Sequence, residues 1–450
     1  MENKEVPTLP LLGSLPPTWR VMRFGEVLEG GTTRNGVYKS KKYHGSGVKM
    51  VNMGELFAYS RIPNLPMRRV QLTDKEKKKA LLKEGDLLFA RRSVVAEGAG
   101  KCSIVSEAEE PTTFESSIIR ARPANNLVNS YYLYYLFTSG YGKYILSTIR
   151  RQVAVAGITG SDLVTLPVPL PPLHEQRAIA NILGSLDDKI ELNRRMNQTL
   201  EQMARALFKS WFIDFDPVRY KQQRRGEGQA GQGEDIHARF AHLFPSSFQD
   251  SPLGPIPEGW MVDSIYGVCD VAYGAPFKSA LFNEDGDGIP VLRIRDLATH
   301  TPKTFTTEEH PRGQFVEPGN VVAGMDGEFR AHIWEGPTSW LNQRVCKFIP
   351  NEGVPRGYLR LAIEKQLAFF EQSKTGTTVI HLGKRDIDAF RMIVPPASVF
   401  HAFAEMTDPL IERALTNAQE LRLLAETRDA LLPKLLSGEI RVPEAERIAA

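Results

Sequence analysis

The sequence predicts an α+β protein. Two similar mixed α/β domains are separated by two long helices packed as an antiparallel coiled coil, related by a pseudo-twofold. Three observations predict it. Segments of the first half recur in the second, each copy ends on a double proline, and each double proline leads straight into a long amphipathic repeat.

The recurrence runs the length of the chain. "LPPTWRVMRFGEVLEGG" (15–31) matches "IPEGWMVDSIYGVCDVAYG" (256–274), which pairs Trp19 with Trp260, 241 residues on. "MVNMGEL" (50–56) matches "VLRIRDL" (291–297) at the same offset. "LKEGDLLFA" (82–90) matches "FVEPGNVVAG" (315–324), and "ITGSDLVTLPVPLPP" (158–172) matches "HLGKRDIDAFRMIVPP" (381–396). By then the offset is 224, because the second copy has shorter loops. A chain of 450 residues also exceeds what one core ordinarily fills.

Within each copy the pattern is short apolar runs between Gly, Pro, Asn and Asp turns, the signature of strands. "GVKMVNM" and "DLLFA" are predicted strands of the first copy, "IPVLRIR" and "NVVAG" of the second. Each copy also carries one helix. The first spans 130–151, with Asn129 or Ser130 as cap; the second spans 355–374, with Pro355 near its first turn.

After the prolines, Ile179, Leu186, Asn193, Leu200 and Leu207 recur every seven residues, with Leu183, Ile190, Asn197, Ala204 and Trp211 four residues after each. An offset of 224 gives Phe403, Leu410, Asn417, Leu424 and Leu431, with Thr407, Ala414, Leu421, Arg428 and Leu435 beside them. This is a coiled-coil seam, with Arg428 out of place on it. "LGSLDD" (183–188) and "TDPL" (407–410) align, and Pro409 predicts a bend there, with Asp408 capping the longer second part. Pro433 limits the far end. Asn193 and Asn417 occupy equivalent seam positions, where a buried polar residue fixes register at a cost in stability.

The resulting division is a first domain over 1–165, a helical region over 166–214, a linker over 215–255, a second domain over 256–394, a second helical region over 395–437 and a tail over 438–450. "GEGQAGQGE" marks the linker as flexible by composition.

Composition narrows the class. No apolar run approaches the roughly 20 residues that span a bilayer, and the start carries Glu2, Lys4 and Glu5 instead of an apolar leader, so a cytoplasmic location is expected. Three scattered cysteines argue against a disulfide framework and a cysteine zinc site. The net charge of +3 hides an asymmetry: residues 1–170 hold 24 Lys and Arg against 15 Asp and Glu, whereas residues 251–396 hold 15 against 18. A basic first domain suits a polyanionic partner.

No catalytic constellation is present. "PPLHEQ" lacks the second histidine of a zincin, "GAGKCS" (98–103) lacks the spacing of a phosphate-binding loop, and Val218 and Arg219 break the likeness of "DFDPVRY" (214–220) to a base-methyltransferase motif. "MDGEFRAHIWEG" (325–336) mixes Asp326, Glu328, His332 and Glu335, and leaves a metal-dependent enzyme as a competing reading. The expectation is no catalytic residue and no metal.

Loops rich in Arg, Lys, Asn, Gln and Tyr suit DNA, since Arg and Lys address guanine edges, Asn and Gln adenine, and other cations phosphates. The candidates in the first copy are Thr32, Thr33, Arg34, Lys39, Lys41, Lys42, Tyr43 and Lys49, then Arg91, Arg92 and Ser93. In the second they are Lys278, Ser279, Arg293, Arg295, Arg330 and His332, then Asn342, Gln343 and Arg344, with Lys374, Thr375 and Thr377 beside them. The near-neutral charge of the second copy requires its cations to be gathered on one face.

The segment "LPVPLPPLHEQRAIANILGSLDDKIELNRRMNQTLEQMARALFKSWFIDFDP" (166–217) and the tail "LLPKLLSGEIRV" (431–442) resemble the conserved regions of the DNA-specificity subunit of type I restriction–modification enzymes. "EGDLLFAR" and "PGNVVAG" resemble parts of that family's target-recognition domains. The resemblance covers essentially the whole chain. "PPASVFHAFAEM" departs from the family pattern, having no Glu-Gln pair after its prolines. The resemblance implies a non-catalytic subunit that reads a bipartite double-stranded DNA target, one half-site per domain. It implies docking of two modification subunits, which carry S-adenosylmethionine and methylate adenine, and of two restriction subunits, which use ATP and Mg. No cofactor is expected on this chain. Glu175, Gln176 and Arg177 are the residues assigned to methylase docking. The alternative is a stand-alone DNA-binding adaptor or regulator of the same architecture.

Overall fold

The computed structural model describes residues 8–151, 156–226, 239–327, 329–373 and 381–449. The chain divides into two compact units, Met1–Ile190 with Leu423–Ala450, and Glu191–Arg422. The division falls inside both long helices, not at the double prolines.

In the first unit the buried apolar run Leu87–Ala90 is a central strand, flanked antiparallel by Ile118–Ala121 and Cys102–Val105. Arg34–Asn35 and Arg61–Ile62 complete the five strands. A second sheet sets Thr112–Phe114 parallel and Arg69–Val70 antiparallel to His44–Val51. Arg20–Arg23 pairs antiparallel with Pro167–Leu170, which ties the start of the domain to the residues before the double proline.

The second unit repeats the core of this topology, with a four-stranded sheet where the first has five strands and a five-stranded sheet where the first has three. Cys269–Tyr273, Val345–Pro350, Val321–Gly324 and Ala331–Ile333 lie in the order of their counterparts, all antiparallel. Ile289–Leu292 runs parallel to Ser339–Leu341 and antiparallel to Phe305–Thr306. Met261–Ser264 pairs with Arg391–Val394. The tyrosines of the two domain helices correspond too: Tyr132 donates its hydroxyl to the Pro169 carbonyl at 2.8 Å, and Tyr358 donates to that of Ile393.

The helix expected over 130–151 is two, Ser130–Thr138 and Gly140–Thr148. Ser139 ends the first and caps the second, accepting the Gly142 amide at 3.1 Å. Asn129 caps the first, accepting from the Tyr132 amide at 3.0 Å. In the second copy the helix is Arg356–Ser373, directly after Pro355.

The central helix (Leu173–Phe212) and the distal helix (Ala397–Ser437) are each continuous, so the expected break into a shorter and a longer helix is absent. Pro409 and Pro433 lie within an unbroken helix. A proline there costs about 3 kcal/mol relative to alanine. The burial of Phe403, Thr407, Ile411, Leu431 and Leu435 around the two prolines outweighs it. Asp408 is therefore no cap, and its Oδ1 is buried without a hydrogen bond among the described residues.

Along the seam Ile179, Leu186, Ile190, Asn193, Asn417, Leu424 and Leu431 are buried, while Leu200, Leu207, Leu410 and Leu421 are half-buried. Within the first unit Arg428 pairs with Asp187 at 2.8 Å, which explains a cation on the seam. Within the second, Asn193 donates to Glu420 at 2.9 Å, Asn417 to the Asn197 side-chain oxygen at 2.9 Å, and Asn197 to the Ala414 carbonyl at 3.0 Å. Partner numbers fall as central-helix numbers rise, so the two helices pack antiparallel.

The segment expected as linker over 215–255 is largely built into the second unit. Asp216–Gly226 is helical, and Phe215, Val218, Phe240 and Phe244 bury themselves with Trp211 and Trp260. Most of the Gly/Gln-rich centre lies outside the described residues. The expected tail also folds, with Val442–Ala449 helical and Arg441 3.8 Å from Glu175.

Candidate nucleic-acid interface

In the first unit, three loops converge where strands end. Thr33 approaches Gly160 so closely that a side chain on Gly160 would overlap the Thr33 hydroxyl. Gly157 pairs with Arg92, and Ala156 with Ser93. Arg92 is exposed, Arg91 and Ser93 are half-buried, and the loop tip beyond them presents Val94 and Val95 to solvent. Beside this cluster Arg34, Asn35, Lys75 and Lys79 line an open groove of about 410 Å³. Lys75 and Lys79, on the short helix Asp74–Ala80, are not among the sequence candidates.

Other candidates in this unit divide. Lys41, Lys42 and Tyr43 form an exposed turn, with Lys42 5.0 Å from the Tyr43 ring centre. Lys39 is half-buried against Glu76 at 2.8 Å, and holds that carboxyl down to about 2. Lys49 is buried, bonded to Asn64 at 2.6 Å and paired with Glu110 at 3.0 Å. Lys49 is thus a correction: its charge is neutralised inside the fold and does not face a partner.

In the second unit Lys278, Ser279 and Arg295 are exposed. Arg293 leans on Asp296, whose carboxylate caps the turn that follows. Asn342, Gln343 and Arg344 occupy a loop beside Asp326 and His381. Arg344 Nε lies 3.4 Å from Asp326 Oδ2, and His381 Nδ1 lies 2.5 Å from Asp326 Oδ1. Lys374, Thr375 and Thr377 lie outside the described residues.

Arg330 and His332 are corrections of place. They line a cavity of about 610 Å³ with His300, Glu335, Arg360 and long-helix residues that include Glu201 and Arg205, and Asn342, Gln343 and Arg344 are not part of that lining. Burial pushes Glu335 up to about 7, and holds His300 down at about 4. His300 Nδ1 accepts the Glu335 amide at 3.1 Å.

Main-chain hydrogen bonds at the loop clusters correspond in the two units. The Arg91 amide donates to Ser117 at 2.8 Å and the Arg91 carbonyl accepts from Ile158 at 3.0 Å. The Met325 amide donates to Arg344 at 2.9 Å and the Met325 carbonyl accepts from Leu382 at 2.8 Å. Arg92 faces Gly157 as Asp326 faces His381. Gly36 and Gly274 fill one shared position: a Cβ would come within 2.2 Å of the Glu115 carbonyl and 2.0 Å of the Asn342 carbonyl.

The profile of the family described as type I restriction modification DNA specificity domain matches residues 16–202 and 257–424. The chain belongs to that family. The matched stretches are the two copies of the repeat, each with most of its long helix. The HindI specificity subunit of Haemophilus influenzae, a type I restriction enzyme component, is 27% identical over 412 residues, covering 80% of this chain and 88% of that one. The MjaIX specificity subunit of Methanocaldococcus jannaschii is 26% identical over 448 residues, covering 96% of both. The crystal structure of a type I restriction–modification S subunit from M. genitalium aligns with a TM-score of 0.56 at 15% identity, over 96% of this chain and 98% of that one, and shares the fold.

The residues of the family-like "PPLHEQ" motif have local work to do. Gln176, 1% exposed, accepts the Asn129 amide at 2.9 Å and donates to the Pro171 carbonyl at 2.8 Å. Glu175 accepts from Trp19 Nε1 at 3.3 Å. Their side chains lock the start of the central helix onto the first recognition domain, which corrects the docking assignment for Gln176 outright. His174 and Arg177 are exposed. Among the described residues no three His, Cys, Asp or Glu side chains gather as metal ligands, and no helix is long and apolar enough to cross a membrane.

Proposed function

We propose that this chain is the DNA-specificity subunit of a type I restriction–modification assembly, and that each recognition domain reads one half of a bipartite double-stranded DNA target. The duplicated loop cluster carries this reading: two copies of one scaffold present Arg92 in one case and Asp326, His381 and Arg344 in the other. Identical main-chain frames with different side chains suit two different half-sites.

The chain itself supplies recognition and no chemistry. Adenine methylation belongs to two modification subunits carrying S-adenosylmethionine, and cleavage to two restriction subunits using ATP and Mg. The modification subunits dock on exposed faces of the long helices, with His174 and Arg177 beside one double proline. The protein works in the cytoplasm. Methylome sequencing of cells carrying this chain with its methyltransferase tests the reading. A bipartite, asymmetric adenine-methylated motif is expected; a contiguous motif, or none, overturns it.

A further inference from the structure

We propose that Arg344 is a base-reading side chain of the second recognition domain, that it addresses a guanine, and that Asp326, braced by His381, is its positioning residue. The inference rests on the reading of the chain as a DNA-specificity subunit.

The geometry is specific. Arg344 Nε lies 3.4 Å from Asp326 Oδ2, and one terminal nitrogen lies 3.5 Å from His381 Nδ1, which cannot accept from it while giving its own proton to Asp326, so both terminal nitrogens keep N–H groups for a partner. Those two nitrogens match guanine O6 and N7. His381 Nδ1–H donates to Oδ1 of the same carboxylate at 2.5 Å, so the carboxylate is fixed from both sides. The three side chains are accessible: 53% for Arg344, 26% for Asp326 and 48% for His381.

Charge decides between base and phosphate. A carboxylate 3.4 Å from the guanidinium repels a phosphate, whereas a base edge carries no net charge and tolerates it. A plane clamped at one edge also loses less freedom on binding than a loose one. Asp326 is thus one carboxylate of the acidic second domain that orients a cation. In the first unit the slot of Asp326 holds Arg92, that of Arg344 holds Ser117 and that of His381 holds Gly157, so this clamp belongs to the second domain and its half-site.

The test measures binding of the full chain, assembled with its methyltransferase, to duplexes that carry each single-base change in the methylome-defined motif. Arg344→Ala is expected to lose about 5- to 150-fold of discrimination at one G·C pair of one half-site. The other half-site keeps its discrimination. Arg344→Lys retains the charge without the planar fork and is expected to lose part of that discrimination at the same pair, which covers a failure of the alanine variant to fold. Asp326→Asn weakens discrimination at that pair, and adds nothing in the Arg344→Ala background; a merely structural Asp326 would act equally in both backgrounds. Unchanged discrimination in Arg344→Ala, or equal weakening on every sequence, overturns the assignment while leaving the subunit reading in place. Absence of a bipartite motif for the unsubstituted assembly overturns both.

Discussion

Replacing Asn417 with leucine should stabilise the second unit. Asn417 is fully buried on the helix seam. Its Nδ2 donates to Asn197, but its Oδ1 has no hydrogen-bond partner among the described residues. A buried acceptor left unsatisfied costs about 1–3 kcal/mol, and the substitution removes it. Burying the leucine side chain contributes about 1.5 kcal/mol or more. Against this stand the lost Asn417–Asn197 bond, about 0.5–1.5 kcal/mol, and some strain from the larger branched end. Asn197 itself is half-buried at the cavity edge, so water can replace what it loses. The net expectation is about 2 kcal/mol of added stability, read as a higher urea midpoint at unchanged slope. Asn417→Ala, which loses the bond and leaves a void, should lower the midpoint. A leucine variant destabilised by 1 kcal/mol or more would refute the reasoning, and would mean that Oδ1 holds an ordered water worth more than the apolar contact. The polar side chain is then retained for alignment of the helices, as the equivalent position of Asn193 suggests.

Two further predictions concern charge. Glu335 and His300 share one cavity and pull stability in opposite directions. The raised pKa of Glu335, about 7, means the folded state holds the proton longer, so its contribution is lost as pH rises from the usual carboxylate range through about 7. The lowered pKa of His300, about 4, means its contribution is lost as pH falls from about 6.5 through about 4. Glu335→Gln should therefore leave a stability curve that rises more steeply with pH between about 4.5 and 6.5, and His300→Gln one that falls, measured by urea unfolding across pH; parallel curves for both variants and the unsubstituted chain would contradict it. Separately, Lys41 and Lys42 sit exposed on the first domain, and replacing both with alanine should reduce the slope of log affinity against log salt by about 2 on non-specific duplex, measured by fluorescence anisotropy; an unchanged slope would remove that turn from the interface.

The duplication, the double prolines and the seam were legible because each is a local pattern of residue type and spacing. Trp19 and Trp260 both proved buried anchors of their units. What the pattern could not show is which partner a charge has. Lys39 and Lys49 looked alike in a basic run, yet each is drawn inward by a carboxylate far along the chain, Glu76 and Glu110. Arg330 and His332 looked like loop residues, and instead the strand Ala331–Ile333 turns this segment toward the cavity. The helix through Pro409 was misread for the complementary reason: a local rule was applied where burial along both flanks decides. The Asp326–Arg344 contact had a usable signal. Aligning the two copies places Asp326 opposite Arg92, an exchange of sign in the same slot, which a solvated polar loop does not explain.

That exchange shows how such a scaffold can change what it reads. The frame around Arg91 and Met325 is held by amide and carbonyl groups, which every residue but proline supplies in full. Side chains at 92 and 117, and at 326, 344 and 381, can therefore change sign or size without removing a main-chain hydrogen bond, whereas a Cβ on Gly157 would come within 3.1 Å of the Arg91 carbonyl. Gly36 and Gly274 are the opposite case. A Cβ at either would strike a backbone carbonyl that cannot retreat without breaking the parallel pairing of Val37 with Glu115, or of Ala275 with Asn342. Fold and specificity thus depend on different atoms of the same loops. Substitutions at those five side-chain positions should alter the sequence read while changing stability by no more than about 0.5 kcal/mol, the range ordinary for surface changes, whereas Gly36→Ala or Gly274→Ala should cost several times that.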